Sequence, residues 1–248
     1  MRGIRTLAWV SRTIFFNSAS SGLVVDSQYE HMAPQIKAEL ERKQAGVQIK
    51  TLINTHFHGD HVNGNAALAS GAQIIAHTNV LTRLKADAKF PLAGLPTETF
   101  VGEKTLSLNG VNLKLVTMPV SHTDGDLVVW FKDANVLHTG DLFFADRFPF
   151  IDLKSGGSVT GYINNVKLLL SQIDDKTKLI PGHGDLMDRA GLQRFLSMME
   201  QTLAEVNALK AAGKTEDQIV AQGLSAQWKS WSWHFITEER WIRTLFKA

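Results

Sequence analysis

The chain contains no cysteine. That absence excludes a disulfide framework, a thiolate nucleophile and any metal site built on cysteine. A metal held here must rest on imidazole and carboxylate. An excess of charge is also missing: 26 Lys and Arg against 24 Asp and Glu leave a net +2. That balance argues against the phosphate-seeking surface of a nucleic-acid binder. No apolar run approaches the roughly 20 residues of a membrane span, and neither an internal repeat nor a low-complexity linker is present. Near the N-terminus, Arg2 and Arg5 precede a short apolar run (Leu7 to Val10), and Ser18-Ala19-Ser20 is small enough for a processing site. Arg12 interrupts the run before it reaches signal-peptide length, so an exposed strand and turn are expected there. Location stays open: cytoplasmic as the chain stands, periplasmic if an upstream segment is removed.

What is present is ordinary for a globular protein. The 248 residues are 44 % hydrophobic and 20 % charged, enough for a large core and unlike a disordered chain. A single domain is expected over 1–248, with 190–248 as a helical part packed on it. Strands are expected at Gly22–Asp26, Val47–Asn54, Ala72–Ala76, Leu127–Phe131, Val136–His138 and Lys178–Ile180. Helices are expected at His31–Arg42, 64–70, Asn79–Asp87, Ser158–Ser171 and Met187–Lys210. Asn109-Gly110, between alternating apolar runs in Lys104–Met118, predicts a hairpin. Strands alternating with helices around a central hairpin predict two sheets with helices on their outer faces, an α/β sandwich. The tail from Thr215 carries Trp228, Trp231, Trp233 and Trp241, which reads as an aromatic face docked on the core, a substrate cleft or an oligomer contact.

The histidines are concentrated. Thr55-His56-Phe57-His58-Gly59-Asp60-His61 puts three imidazoles and a carboxylate in six residues after a strand. Buried together without a partner they would cost several kcal/mol; as neutral imidazole and carboxylate they match what zinc accepts when sulfur is lacking. Ser121-His122-Thr123-Asp124-Gly125-Asp126 follows the hairpin, Thr139-Gly140-Asp141 follows another strand, and Pro181-Gly182-His183-Gly184-Asp185 a third. Ligand-type residues at strand ends, with glycine beside them, are how α/β scaffolds build sites.

These residues resemble the metallo-β-lactamase superfamily, whose hallmark is His-x-His-x-Asp-His followed by a distant His, an Asp and a final His. His56, His58, Asp60, His61, His122, Asp141 and His183 fill all seven positions over roughly residues 20–185. The resemblance implies an αββα four-layer sandwich and two zinc ions. One would take His56, His58 and His122; the other Asp60, His61 and His183, with Asp141 bridging. It further implies attack on a carbonyl by a hydroxide available at neutral pH, with Asp60 orienting that hydroxide as well as binding metal.

Asp141 stands where true metallo-β-lactamases of the cysteine-bearing classes place a thiolate, so the chain is similar to the glyoxalase II-like and β-lactamase-like hydrolase branch. The glutathione-binding pattern of glyoxalase II is not recognisable in 190–248. Phe144 replaces the tyrosine common in lactone hydrolases, and no basic RNA-gripping extension is present. The family's N-terminal hairpin is poorly matched by residues 1–21, which predicts an open cleft. Within Arg147-Phe148-Pro149-Phe150, Phe148 and Phe150 are candidate substrate-binding residues. Ser155-Gly156-Gly157-Ser158 offers amides to an anionic substrate group or a helix cap. His77 and His138 read as structural, and Asp26, Asp124 and Asp126 as partners of ligands. The expected activity is zinc-dependent hydrolysis of an ester, thioester or lactam, with a small-molecule substrate and neither nucleic acid nor membrane as partner. Two rivals remain: a mononuclear iron dioxygenase using His56, His122 and Asp141, and a non-catalytic metal-stabilised binding protein. Iron or manganese are the alternative metals.

Overall fold

The computed structural model describes residues 5–8, 12–18, 21–43, 45–108 and 111–248. A six-stranded sheet runs in sequence order: β1 (Arg5–Ala8), β2 (Arg12–Ser18), β3 (Ser21–Val25), β4 (Gln48–Ile53), β5 (Gln73–His77) and β6 (Glu98–Phe100). A five-stranded sheet contains β7 (Glu103–Leu108), β8 (Val111–Thr117), β9 (Leu127–Phe131), β10 (Val136–Phe144) and β11 (Lys178–His183), in the order β11-β10-β9-β8-β7. The helices are α1 (Ala33–Lys43), α2 (Gly59–Val62), α3 (Asn65–Leu68), α4 (Thr78–Ala86), α5 (Val159–Gln172), α6 (Arg189–Ala211), α7 (Glu216–Gln222) and α8 (Glu238–Phe246). Two sheets with helices agree with the expected class. None of the described helices is long and apolar enough to cross a membrane.

The chain forms two compact units, Met1–Met118 with Gly125–Gly140, and Pro119–Asp124 with Asp141–Ala248. In the first, β3, β4, β5 and β6 are parallel, so their carboxyl ends share one edge. α1 carries the apolar 3.6-residue pattern on Ile36 and Leu40, which pack with Val24, Leu52, Leu68 and Ile74. Val80 and Leu84 of α4 close a second cluster with Val62 and Ala76. Burying these side chains leaves the following loops, 54–62 above all, anchored at the sheet edge.

In the second unit α5 is capped by Ser158, whose Oγ accepts from Gly161 N at 3.1 Å. Asp188 caps α6 in the same way, accepting from Gly191 N at 2.9 Å. Trp241 of α8 is fully buried, stacks on Phe148 at 5.8 Å, and donates its indole N–H to Thr202 Oγ1 at 3.0 Å.

Three expectations are corrected. β1 and β2 pair antiparallel from Arg5↔Phe15 to Ala8↔Arg12, so paired strands stand where residues 1–21 match the family's hairpin poorly, residues 9–11 lying outside the described residues. β10 and β11 run on to Phe144 and His183, placing Asp141 and His183 within strands rather than after them. β10 continues through Gly140, which has φ +52° and where a Cβ would meet Thr55 Cβ at 2.7 Å; glycine alone permits both features. The tail is also interrupted: Trp233 lies in the turn between a 3-10 segment (Ala226–Trp231) and α8. β7 and β8 form the predicted hairpin, while its turn, Asn109-Gly110, lies outside the described residues.

Candidate metal centre

The segment after β4 carries His56 and His58 in a loop and Asp60 and His61 in the short helix α2, and its conformation is set by Asp26 at the end of β3. Asp26 is fully buried, with φ +60°. Its Oδ1 accepts from Thr55 N at 2.8 Å; its Oδ2 accepts from Thr55 Oγ1 at 2.8 Å and from His61 Nδ1 at 2.8 Å. A carboxylate can only accept, so His61 carries a proton on Nδ1, and in the neutral imidazole the lone pair is then on Nε2. Thr55 has spent its hydroxyl hydrogen on Asp26. Its oxygen, 3.1 Å from His56 Nδ1, therefore accepts, and His56 too presents the Nε2 lone pair. The carboxylate–imidazole relay that typically orients metal ligands is thus built before any metal is considered.

A second polar network lies behind the loop. Asn54 and Asn65 exchange side-chain hydrogen bonds at 2.8 and 3.0 Å. Ser27 Oγ donates to Asn65 Oδ1 at 2.7 Å, and Ser27 N donates to His61 O at 2.8 Å. All three are fully buried. Sequence reasoning missed Asn54, Asn65 and Ser27; the available signal was an asparagine directly after the apolar end of β4, Leu52-Ile53. Partial burial, and then the Asp60 charge, hold the Tyr29 phenol above its ordinary value, with His61 opposing.

In the second unit, His122 Nδ1 donates to Phe150 O at 2.7 Å, again leaving Nε2 as the donor for a metal. The His122 segment is braced by α5: Ser158 N donates to Ser121 O at 2.8 Å, Asp152 N to His122 O at 2.9 Å, and Asn165 Nδ2 to Pro119 O at 2.7 Å. A Cβ at Gly157 would meet His122 O at 2.7 Å, and one at Gly161 would meet Val120 O at 2.1 Å. The Ser155–Ser158 stretch is therefore a cap and a close-packed brace. Asp141 Oδ2 lies 3.4 Å from His122 Nε2 and 3.3 Å from His183 Nε2, and Tyr162 holds the Asp141 carbonyl with a 2.6 Å hydrogen bond. Phe144 stacks on the His183 ring at 4.8 Å and 12°.

The donors gather in two sets, His56, His58, His122 and Asp141 in one, and Asp60, His61 and His183 in the other. Within each set, one donor atom per residue lies within 4.8 Å of the others. All seven residues singled out from sequence are in these sets, and their nitrogen and oxygen donors suit a divalent metal. His77 and His138 are outside both: His77 Nδ1 accepts from Asn79 N at the start of α4, and His138 Nδ1 from Gly140 N. Phe150 is half-buried beside His122, 5.9 Å between rings. Phe148 is fully buried against Trp241, which corrects its reading as a substrate contact: it has no surface to offer and supports from behind.

The profile of the Metallo-beta-lactamase superfamily matches residues 11–183. Among curated relatives, "Metallo-beta-lactamase type 2" of Bacillus sp. (strain 170) is 23 % identical over 193 residues, 77 % of this chain and 73 % of that protein. "2,4-Dinitroanisole O-demethylase subunit alpha" of Nocardioides sp. (strain JS1661) is 26 % identical over 209 residues, covering 82 % of this chain but only 61 % of that protein. Among solved structures, a metallo-β-lactamase from Pontibacter korlensis superposes with a TM-score of 0.67 at 17 % identity, covering 79 % of this chain and 93 % of that one.

Proposed function

The chain belongs to the metallo-β-lactamase superfamily, and from that premise we propose that it is a dinuclear zinc hydrolase acting on a small ester, thioester or lactam. The observation that carries the reading is the pair of His/Asp donor sets with at least three imidazoles locked, by their Nδ1 partners, to present Nε2. His56, His58 and His122 would hold one ion, and Asp60, His61 and His183 the other, with Asp141 shared. Two zinc ions would supply Lewis acidity and a nucleophilic water at neutral pH.

The remaining work falls to the chain itself. Asp26 and Thr55 keep His61 and His56 in one tautomer and one orientation. Phe150 O does the same for His122, and Tyr162 fixes the backbone of Asp141. Asp60 Oδ2, 3.5 Å from His61 Nε2, is the group proposed to orient the attacking water and accept its hydrogen bond. No protein nucleophile is required, which accords with a chain lacking cysteine. Phe150 would offer the substrate an apolar surface beside His122.

The test is elemental analysis of protein purified without chelator, paired with nitrocefin turnover before and after adding zinc. Two zincs per chain with zinc-dependent turnover support the proposal. Two zincs without turnover move the search to thioesters and lactones. One iron with oxygen consumption replaces it with a dioxygenase, and bound zinc with no turnover on an ester and lactam panel replaces it with a metal-stabilised binding protein.

A further inference from the structure

The family match ends at residue 183, yet the tail places Trp233 against His183 and Phe235 against Phe150, the neighbour of His122. Trp228 and Trp241 are core residues, with indole N–H groups donating to Glu205 at 2.9 Å and Thr202 at 3.0 Å. Trp233 and Phe235 differ. Trp233 is half-buried, and its indole N–H donates to Phe148 O at 2.9 Å, while its backbone N–H donates to Ile236 O at 3.1 Å. These bonds fix a tight turn that sets the Trp233 ring 5.9 Å from His183. Phe235 is 45 % exposed and meets Phe150 edge-to-face at 5.5 Å; Phe150 in turn lies 5.9 Å from the His122 ring.

Arg240 covers this cluster. Its guanidinium lies 4.5 Å from the Phe235 ring and 4.9 Å from the Phe150 ring, and one N–H donates to Phe235 O at 2.9 Å. Among the described residues no carboxylate pairs with it. Arg243, one turn further on, takes Glu216, Asp217 and Glu239. Arg243 thus ties helices together, whereas Arg240 keeps its charge uncompensated. Its place in the first turn of α8 is also where the helix dipole disfavours a cation. A guanidinium oriented by two rings, with N–H groups still to satisfy, fits the planar fork of a carboxylate.

We infer that Trp233, Phe235, Phe150 and Arg240 form a recognition wall that takes an apolar or aromatic group carrying a carboxylate, and so selects anionic acyl substrates. The wall rests on the hydrolase reading only for what is done to the bound molecule. Binding of 3-phenylpropionate and of its neutral amide to the intact chain, followed by tryptophan fluorescence and calorimetry with and without zinc, tests it. The acid should bind at least about fivefold more tightly than the amide, the scale of a partly exposed charge-assisted hydrogen bond. Arg240→Gln should abolish that preference, Arg240→Lys should retain part of it, and Phe235→Leu, at an exposed position, should weaken both ligands. An unchanged acid-to-amide ratio in a folded Arg240→Gln protein, or no preference in the wild type, overturns the wall. Discrimination without turnover on any ester or lactam removes the hydrolase and keeps the wall; turnover with an Arg240-independent ratio removes the wall alone.

Discussion

Asp26 Oδ2 accepts the Nδ1 proton of His61 at 2.8 Å, with both side chains fully buried. The same carboxylate takes Thr55 N and Oγ1, so one residue outside the ligand motif sets the geometry of two ligands. Asp26→Asn keeps the size but can offer an amide N–H where His61 needs an acceptor, favouring the wrong tautomer. Metal affinity should fall about 10–100-fold while the far-ultraviolet circular dichroism spectrum is retained. Competition with a chromogenic chelator measures this, and an unchanged affinity would remove Asp26 from its positioning role.

Removing the metal should reveal how far it stabilises the fold. An ion held at about a thousand times its dissociation constant adds about 4 kcal/mol, and about 2–4 °C accompanies each kcal/mol at this chain length. Chelation should therefore lower Tm by roughly 10 °C, reversed by zinc. A Tm indifferent to EDTA would mean that the donor sets close without an ion.

Much of this centre is legible in the sequence because ligand chemistry is local. His56, His58, Asp60 and His61 fall within six residues; His122 follows a strand-like run, and Asp141 and His183 stand in or at the end of one. Support comes from residues distant in sequence and is harder to read. Asp26 shows only as a carboxylate ending an apolar strand, and Asn65 bonds to Asn54 across eleven positions. The N-terminal strand pair escapes a reading by hydrophobic pattern because its two short strands lack a clear alternation. Phe148 and Phe150, alike in sequence, separate only when packing buries the first on Trp241 and leaves the second beside His122.

Asp141 supplies the sharpest test of metal count. One of its oxygens lies within 3.4 Å of His122 Nε2 and 3.3 Å of His183 Nε2, one ligand from each donor set. Asp141→Ser removes the ligand proposed to be shared while leaving the backbone hydrogen bond from Tyr162 to its carbonyl. Metal content should fall from two ions per chain toward one, and turnover by at least about 100-fold, the scale of losing a group that acts in the transition state. Retention of two ions at full affinity would show that Asp141 is not shared.

Two helix glycines in matching positions separate a rigid obstacle from a yielding one. Gly161 and Gly191 each stand three residues after a capping side chain and donate their N–H to it, at 3.1 and 2.9 Å. A Cβ at Gly161 would lie 2.1 Å from the Val120 carbonyl oxygen; one at Gly191 would meet the Met187 side chain, with its sulfur at 2.9 Å. Backbone cannot step aside without moving the segment that carries His122, whereas a thioether can change rotamer. Gly161→Ala should cost about 1–3 kcal/mol, read as a Tm several degrees lower, and should weaken metal binding through His122. Gly191→Ala should cost less and leave metal affinity unchanged, because the new Cβ meets only the side chain of Met187, whose backbone stays paired with Leu179 of β11. Equal losses from the two substitutions, or a Gly161→Ala protein with undiminished metal affinity, would show that the brace under His122 is not what the close approach at Val120 secures.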